Sequence, residues 1–301
     1  MKHHHLRALV AIADEGSINA AARALCVSQP AITKAMRELE ADAGVALLAR
    51  NSWGVTLTAE GQRLLARARL IVSELERAEQ DLAGLRGARE GRLQIGVTPL
   101  AGLAVMPQAF TRFRRAMPEV AVDFLEFDHA RLLENLRNGR LDFALAAFQA
   151  TPDEAFVTCT ELFVFPTTFA IRRTSPLAGC TSLAALQDAE WLHADAGDDY
   201  PRYLADLFAR HGLAPPRRVT RCTSNLLFST LLLETDAVVP LSRATLQASV
   251  TSARLQALAL PENPPDLHLA LLVREGAIPT GPADYFLHCI RASAAQGAEA
   301  S

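Results

Sequence analysis

Residues 17–40, SINAAARALCVSQPAITKAMRELE, constrain this chain more than any other stretch. Ser17 is placed to cap a helix in which Ala20, Ala21 and Leu25 make a small apolar face, and a break at Cys26 and Val27 leads to a second cap, Ser28. Two short helices must therefore meet almost at once. Pro30 falls in the first turn of the second helix, where a missing N–H removes no hydrogen bond. Helical spacing then turns Ile32, Met36 and Leu39 inward and leaves Gln29, Thr33, Lys34 and Arg37 outward. Alanines that let two backbones approach, beside a polar and basic outer face, fit a helix-turn-helix whose second helix enters a DNA major groove. The same pattern also fits a helical hairpin whose polar face is simply solvated.

Charge favours the first reading only when divided along the chain. The net charge is −3, yet residues 1–70 hold nine Lys/Arg against six Asp/Glu, and the remainder holds 21 against 27. A basic head on an acidic body suits a DNA reader whose affinity falls with salt. With 301 residues, 50% of them hydrophobic, the chain can bury more than one core. It contains no apolar run long enough to span a bilayer and lacks a signal-peptide layout, so a cytoplasmic protein is expected. Cys26, Cys159, Cys180, Cys222 and Cys289 are scattered and odd in number, which argues for reduced, mostly buried thiols rather than disulfides or a thiolate metal site.

Before the helix pair, Leu6, Leu9, Val10 and Ala13 mark a first helix over about 6–15. His3, His4 and His5 precede it on what reads as a flexible end, where adjacent imidazoles fix no coordination geometry, so no metal is expected. After the pair, residues 45–57 turn strand-like around Arg50, Ser52, Trp53 and Gly54, as a wing would. A long helix follows over 58–86, with Leu64, Ala68, Ile71, Leu75, Ala78, Leu82 and Leu85 alternating spacings of four and three. That heptad seam predicts a two-helix coiled coil, against the alternative of an amphipathic helix lying on its own domain. Glycines in 87–91 mark a linker.

Beyond the linker, strands and helices alternate. Strands are expected at 92–97, 120–127 and 141–147 with helices at 100–117 and 131–138; a second unit runs through 191–240, and the chain returns to the first at 267–274. Such alternation predicts parallel, helix-covered sheets in two lobes joined by crossings near 163–168 and 262–268. A final helix is expected at 282–292, followed by a disordered tail, AAQGAEAS. In such sheets ligands gather beyond the carboxyl ends of strands, at helix N-termini. Thr98, Pro99 and Leu100 meet that condition in lobe one, and Thr223, Ser224 and Asn225 in lobe two, although Thr98 and Ser224 also serve as simple helix caps. Phe148, Gln149, Ala196, Gly197 and Pro240 are the next candidates. A small anion is the ligand class these ends favour, an aromatic or other carboxylate if Phe148 stacks on it.

The run AARALCVSQPAITKAMRELEADAGVALLARNSWGVTLTAEG resembles the N-terminal signature of LysR-type transcriptional regulators. Ala21, Ala22, Leu25, residues 28–31, Leu39, Glu40, Gly44, Leu47, Arg50 and residues 54–61 carry the likeness, which extends in outline to the C-terminus. Trp53 departs from it, standing where the family often has Lys or Arg. The resemblance implies an α/β chain with a winged helix-turn-helix domain at 1–57, a linker and dimerisation helix at 58–90, and a two-lobed effector domain of the periplasmic-binding-protein type at 91–301. Lobe one would hold about 91–164 and 267–301, and lobe two about 165–266. It further implies double-stranded operator DNA, a small-molecule effector, a homodimer or homotetramer, and RNA polymerase as partners, with no cofactor. Ser28, Gln29, Pro30, Thr33, Lys34, Arg37, Arg50 and Ser52 would face DNA. Enzyme motifs are absent from the sequence: no Gly-x-Ser-x-Gly, no phosphate loop and no His-Glu-x-x-His. A solute-binding protein with a helical adaptor also fits residues 92–301, but leaves the first ninety unexplained.

Overall fold

The computed structural model describes residues 1–51, 54–86, 91–101, 105–149, 152, 154–195 and 199–299. Helices α1 (His3–Glu15), α2 (Ile18–Ala24) and α3 (Gln29–Ala43) and the hairpin of β1 (Leu48–Asn51) and β2 (Gly54–Leu57) form the head. The caps behave as the sequence demands. The Ser17 hydroxyl accepts from Ala20 N at 3.1 Å and Ser28 Oγ from Ala31 N at 3.4 Å, while Gly16 and Gly44 close α1 and α3 in left-handed conformations. Between α2 and α3, Cys26 is itself left-handed, with φ of 53°, which turns the chain sharply enough for both helices to share one core. That core buries Leu9, Ile12, Ala21, Ile32, Met36, Leu39 and Leu47.

Helix α1 begins three residues earlier than the apolar pattern predicts, so the histidine triplet is helical and not a loose end. His5 is 1% exposed and its Nε2 lies 3.0 Å from Glu38 Oε2 on α3. The apolar count missed this because a histidine paired to a carboxylate can occupy a core position.

Helix α4 (Ala59–Leu85) starts at Thr58, whose hydroxyl accepts from Gly61 N and donates to Ala46 O. Glycine is required at 61, since a Cβ there would stand 2.1 Å from the Leu47 carbonyl oxygen. Only part of the expected seam is free. Ala68 is buried with Leu65 and Val72 against the head's own core, whereas Ile71, Leu75 and Leu82 are 44%, 40% and 55% exposed. The heptad reading is thus corrected at its first turns, where one face of the helix belongs to its own domain.

Lobe one is a five-stranded sheet in the order β4 (Val120–Glu126), β3 (Gly91–Val97), β5 (Phe143–Phe148), β12 (Leu267–Arg274), β6 (Val157–Phe165). Helices α5 (Met106–Ala116) and α11 (Gly281–Glu299) cover one face and α6 (His129–Arg137) the other. Lobe two pairs β10 (Val239–Ser242), β7 (Thr167–Arg172) and β11 (Leu255–Ala257), and adds β8 (Glu190–His193) and β9 (Arg218–Arg221) through a bridge from Trp191 to Val238. Helices α7 (Asp199–Arg210) and α8 (Asn225–Glu234) flank it; α9 (Arg243–Gln247) and α10 (Ser249–Ser252) are short.

The sheets are mixed rather than wholly parallel. β3, β4 and β5 are parallel, but β12 runs antiparallel to β5 and β6, and β7 antiparallel to β10 and β11. The chain leaves lobe one through β6 and comes back through β12, and these two strands pair antiparallel. Thr167 locks the crossings together, its hydroxyl donating to Pro264 O at 2.6 Å and its N–H to Asp266 Oδ1 at 3.1 Å. The expected disordered tail is also corrected: α11 continues to Glu299, with Ala294 buried in lobe one and Gln296 accepting from Arg112. Alanines on a helix already anchored by Phe286 and Ile290 extend it at little cost. All five cysteines are free, but only Cys222 and Cys289 are buried; Cys26 is exposed. Among the described residues, no helix is long and apolar enough to cross a membrane.

Candidate nucleic-acid interface and effector cleft

Helix α3 presents one outward face. Ser28, Gln29, Pro30, Lys34 and Arg37 are exposed and Thr33 is half-buried, while Ile32, Ala35, Met36 and Leu39 are buried beneath them. The buried side therefore orients the polar side, as a groove-reading helix requires. Lys34 Nζ lies 3.8 Å from Glu38 Oε1, one turn further on. Glu40 holds the wing to α3, its Oε1 accepting from Leu47 N at 2.8 Å and Leu48 N at 3.0 Å. Arg50 stands in β1 opposite Val55, and Ser52 lies outside the described residues.

In lobe one, the carboxyl ends of β4, β3 and β5 lie side by side. Thr98, directly after β3, is 7% exposed; its hydroxyl accepts from Ala147 N at 2.9 Å and its N–H donates to Leu145 O. Leu100 is buried and Pro99 exposed. Phe148 is also buried, and His129 stacks on its ring with centroids 4.4 Å apart. Gln149 is exposed beside it. From lobe two, Ser224 caps α8 through a 3.5 Å contact with Leu227 N, and Thr223 and Ser224 are exposed. Asn225 crosses to lobe one, its Nδ2 donating to Glu126 Oε1 at the end of β4. This contact brings the start of α8 to the carboxyl end of β4, beside the strand β3 that leads into Thr98. Pro240 pairs with Phe169 in lobe two, two residues from Ser242, which is opposite Thr167 at the crossings. Ala196 and Gly197 lie outside the described residues.

Head, helix and lobe one are tied in the same chain. The Arg77 guanidinium donates to Asp142 Oδ1 at 3.1 Å, Glu74 Oε1 at 2.7 Å, Gly139 O at 3.0 Å and Leu141 O at 3.2 Å. Arg274 of β12 reaches Glu74 at 2.5 Å, and Asp14 of α1 accepts from both Arg69 and Arg140. Around these contacts lies a polar cavity of about 760 Å³.

Residues 3–62 match the family of bacterial regulatory helix-turn-helix proteins of the lysR type, and residues 86–295 match the LysR substrate binding domain. The chain belongs to the LysR family of transcriptional regulators. Among its relatives, the HTH-type transcriptional regulator PcaQ of Agrobacterium fabrum is 27% identical over 300 residues, which is 98% of this chain and 96% of PcaQ. TdcA of Escherichia coli is 27% identical over 241 residues, 79% of this chain and 77% of TdcA. The crystal structure of CbnR superposes with a TM-score of 0.66 at 22% identity, covering 98% of this chain and 99% of that one. ArgP of Mycobacterium tuberculosis gives 0.71 at 18% identity, with 96% of each chain covered, so the whole fold is that of a full-length LysR-type regulator.

This LysR-type regulator is thus a DNA-binding protein with an effector-binding domain, and its relatives are transcriptional regulators. Two features escaped sequence reasoning. Glu126 fell inside the strand expected at 120–127, yet nothing local placed it against Asn225, 99 residues away. The anchoring of Arg77 had no sequence signal, because it reads as one charge among many on a solvated helix face.

Proposed function

We propose that the regulator acts in the cytoplasm, without a catalytic step, as a dimer or dimer of dimers that reads operator DNA through α3. Gln29, Pro30, Thr33 and Lys34 face base edges, Ser28, Arg37, Arg50 and Ser52 face phosphates, and RNA polymerase is a downstream partner. The observation that carries this reading is the exposed polar face of α3, held rigid by its buried apolar side. Exposure of Ile71, Leu75 and Leu82 supports pairing of α4 with a second copy.

The effector sits between Thr98–Leu100 and Thr223–Asn225, with Gln149, Ala196 and Gly197 at the rim and Phe148 and Pro240 behind. The N-terminus of α8 favours a carboxylate. Glu126 adds a constraint: a simple carboxylate brought to this mouth meets a second negative charge, so the preferred effector pairs its carboxylate with an ammonium or hydrogen-bond donor. Stacking on Phe148 is given no part, since His129 covers the ring. Occupancy alters transcription by favouring one cleft state over another. Fluorescence anisotropy of the regulator on DNA upstream of its own gene tests both halves, with and without a panel of amino acids and aromatic acids. Binding that one class of acid shifts supports the proposal; binding indifferent to every acid counts against the effector, and absence of binding against α3.

A further inference from the structure

The histidine triplet has no part in the reading above, yet the fold brings two of its members to the recognition helix. His4 and His5 rings meet edge-on with centroids 4.3 Å apart, and His4, His5 and Glu38 each offer a ligand atom within 4.8 Å of the others. His5 is 1% exposed, and its Nδ1 has no hydrogen-bond partner among the described residues. His4 is exposed and so gives an ion a way in. Two imidazoles and one carboxylate are a borderline donor set, suited to Zn²⁺ and leaving a fourth position for water. Donors about 2.1 Å from a tetrahedral zinc stand roughly 3.4 Å apart, so the 3.0 Å edge between His5 Nε2 and Glu38 Oε2 needs little change and His4 needs a rotamer shift. The Glu38 carboxylate offsets the positive N-terminal end of α1.

We propose that His4, His5 and Glu38 form a Zn²⁺ site that sets the availability of Lys34. Glu38 is shared: its Oε2 meets His5 and its Oε1 lies 3.8 Å from the Lys34 ammonium. An ion bound by Glu38 neutralises the charge that holds Lys34 and releases that ammonium toward DNA. This coupling rests on Lys34 as a DNA contact; the metal site itself does not.

The test uses untagged full-length protein and zinc chloride, first without DNA. Calorimetry is expected to show one ion per chain. His4→Ala and Glu38→Gln each weaken binding about tenfold or more, and His3→Ala leaves it unchanged. No zinc binding, or a loss on His3→Ala equal to that on His4→Ala with Glu38→Gln silent, overturns the site by showing only a run of imidazoles. Operator affinity is then measured with and without zinc. Zinc is expected to tighten it about twofold per head, the worth of one exposed i,i+4 pair, and to do nothing in Glu38→Gln. With zinc bound but operator affinity unchanged or weaker, the coupling is overturned while the site stands. DNA binding that survives Lys34→Ala undiminished would instead overturn the Lys34 reading.

Discussion

Replacing Arg77 with alanine tests how the effector domain is joined to the linker helix. Arg77 is 13% exposed, as is Asp142, and its guanidinium makes four hydrogen bonds, three of them to lobe one. Among the described residues, truncation leaves the Asp142 carboxylate with only the 2.8 Å bond from Gln94 N, and it strips a donor from the carbonyls of Gly139 and Leu141. Ser73 still donates to Gly139 O at 2.7 Å, so that carbonyl is not orphaned. A charge-assisted bond to a half-buried carboxylate contributes about 2–3 kcal/mol, with the carbonyl losses partly met by water. Local opening should therefore become easier by about that amount, which is roughly thirty- to 150-fold faster amide exchange. Hydrogen exchange read by mass spectrometry on peptides spanning 70–80 and 138–145 measures it. Arg77→Lys should recover only part of the protection, because an ammonium cannot hold three acceptors in one plane. Unchanged exchange in both peptides in Arg77→Ala would show that Arg77 does not hold the helix to lobe one.

Gly61→Ala places a methyl 2.1 Å from the Leu47 oxygen, and should destabilise the head by about 3 kcal/mol despite a helix-propensity gain of about 1 kcal/mol; calorimetric melting of the full chain shows it as a lowered head transition. Tyr200→Phe removes a buried hydroxyl that has no partner among the described residues, and should stabilise lobe two by about 1 kcal/mol in urea. Burial pushes the Tyr200 phenol well above its usual range, so folding favours its neutral form. That stability is lost as pH rises past about 10, and the variant should lack this alkaline decline. Asp236 behaves oppositely: the hydrogen bond from Arg172 holds its carboxyl below the usual range. Its contribution is present above about pH 4 and lost as pH falls through the folded-state value. Asp236→Asn should flatten the acid limb of a pH-dependent melting series.

The head was legible because its signals are local. Ser17 and Ser28 mark helix starts within a few residues, and Ile32, Met36 and Leu39 repeat at helical spacing. Likewise β12 could be placed over 267–274, since an almost unbroken apolar strand in the interior of a sheet stands out. What failed depended on distance. His5 looked polar until Glu38 came beside it, 33 residues on. Ala68 looked like part of a dimer seam because spacing alone cannot say which copy covers it. Strand direction in the lobes was misjudged, as periodicity records neither parallel nor antiparallel pairing. The helix-end rule singled out Thr98 and Asn225 as candidates but gave no sign of Glu126, which meets Asn225 only across 99 residues of chain.

Operator binding by the Lys34→Ala variant, measured beside effector binding in the same preparation, tests the central claim most directly. Lys34 is exposed on α3, far along the chain from the cleft residues, so the substitution leaves the fold untouched. The account predicts an operator affinity lowered about tenfold, by about 1–2 kcal/mol, with effector affinity unchanged. Undiminished operator binding, or loss of effector binding along with it, would contradict the assignment of α3 as the DNA-reading surface.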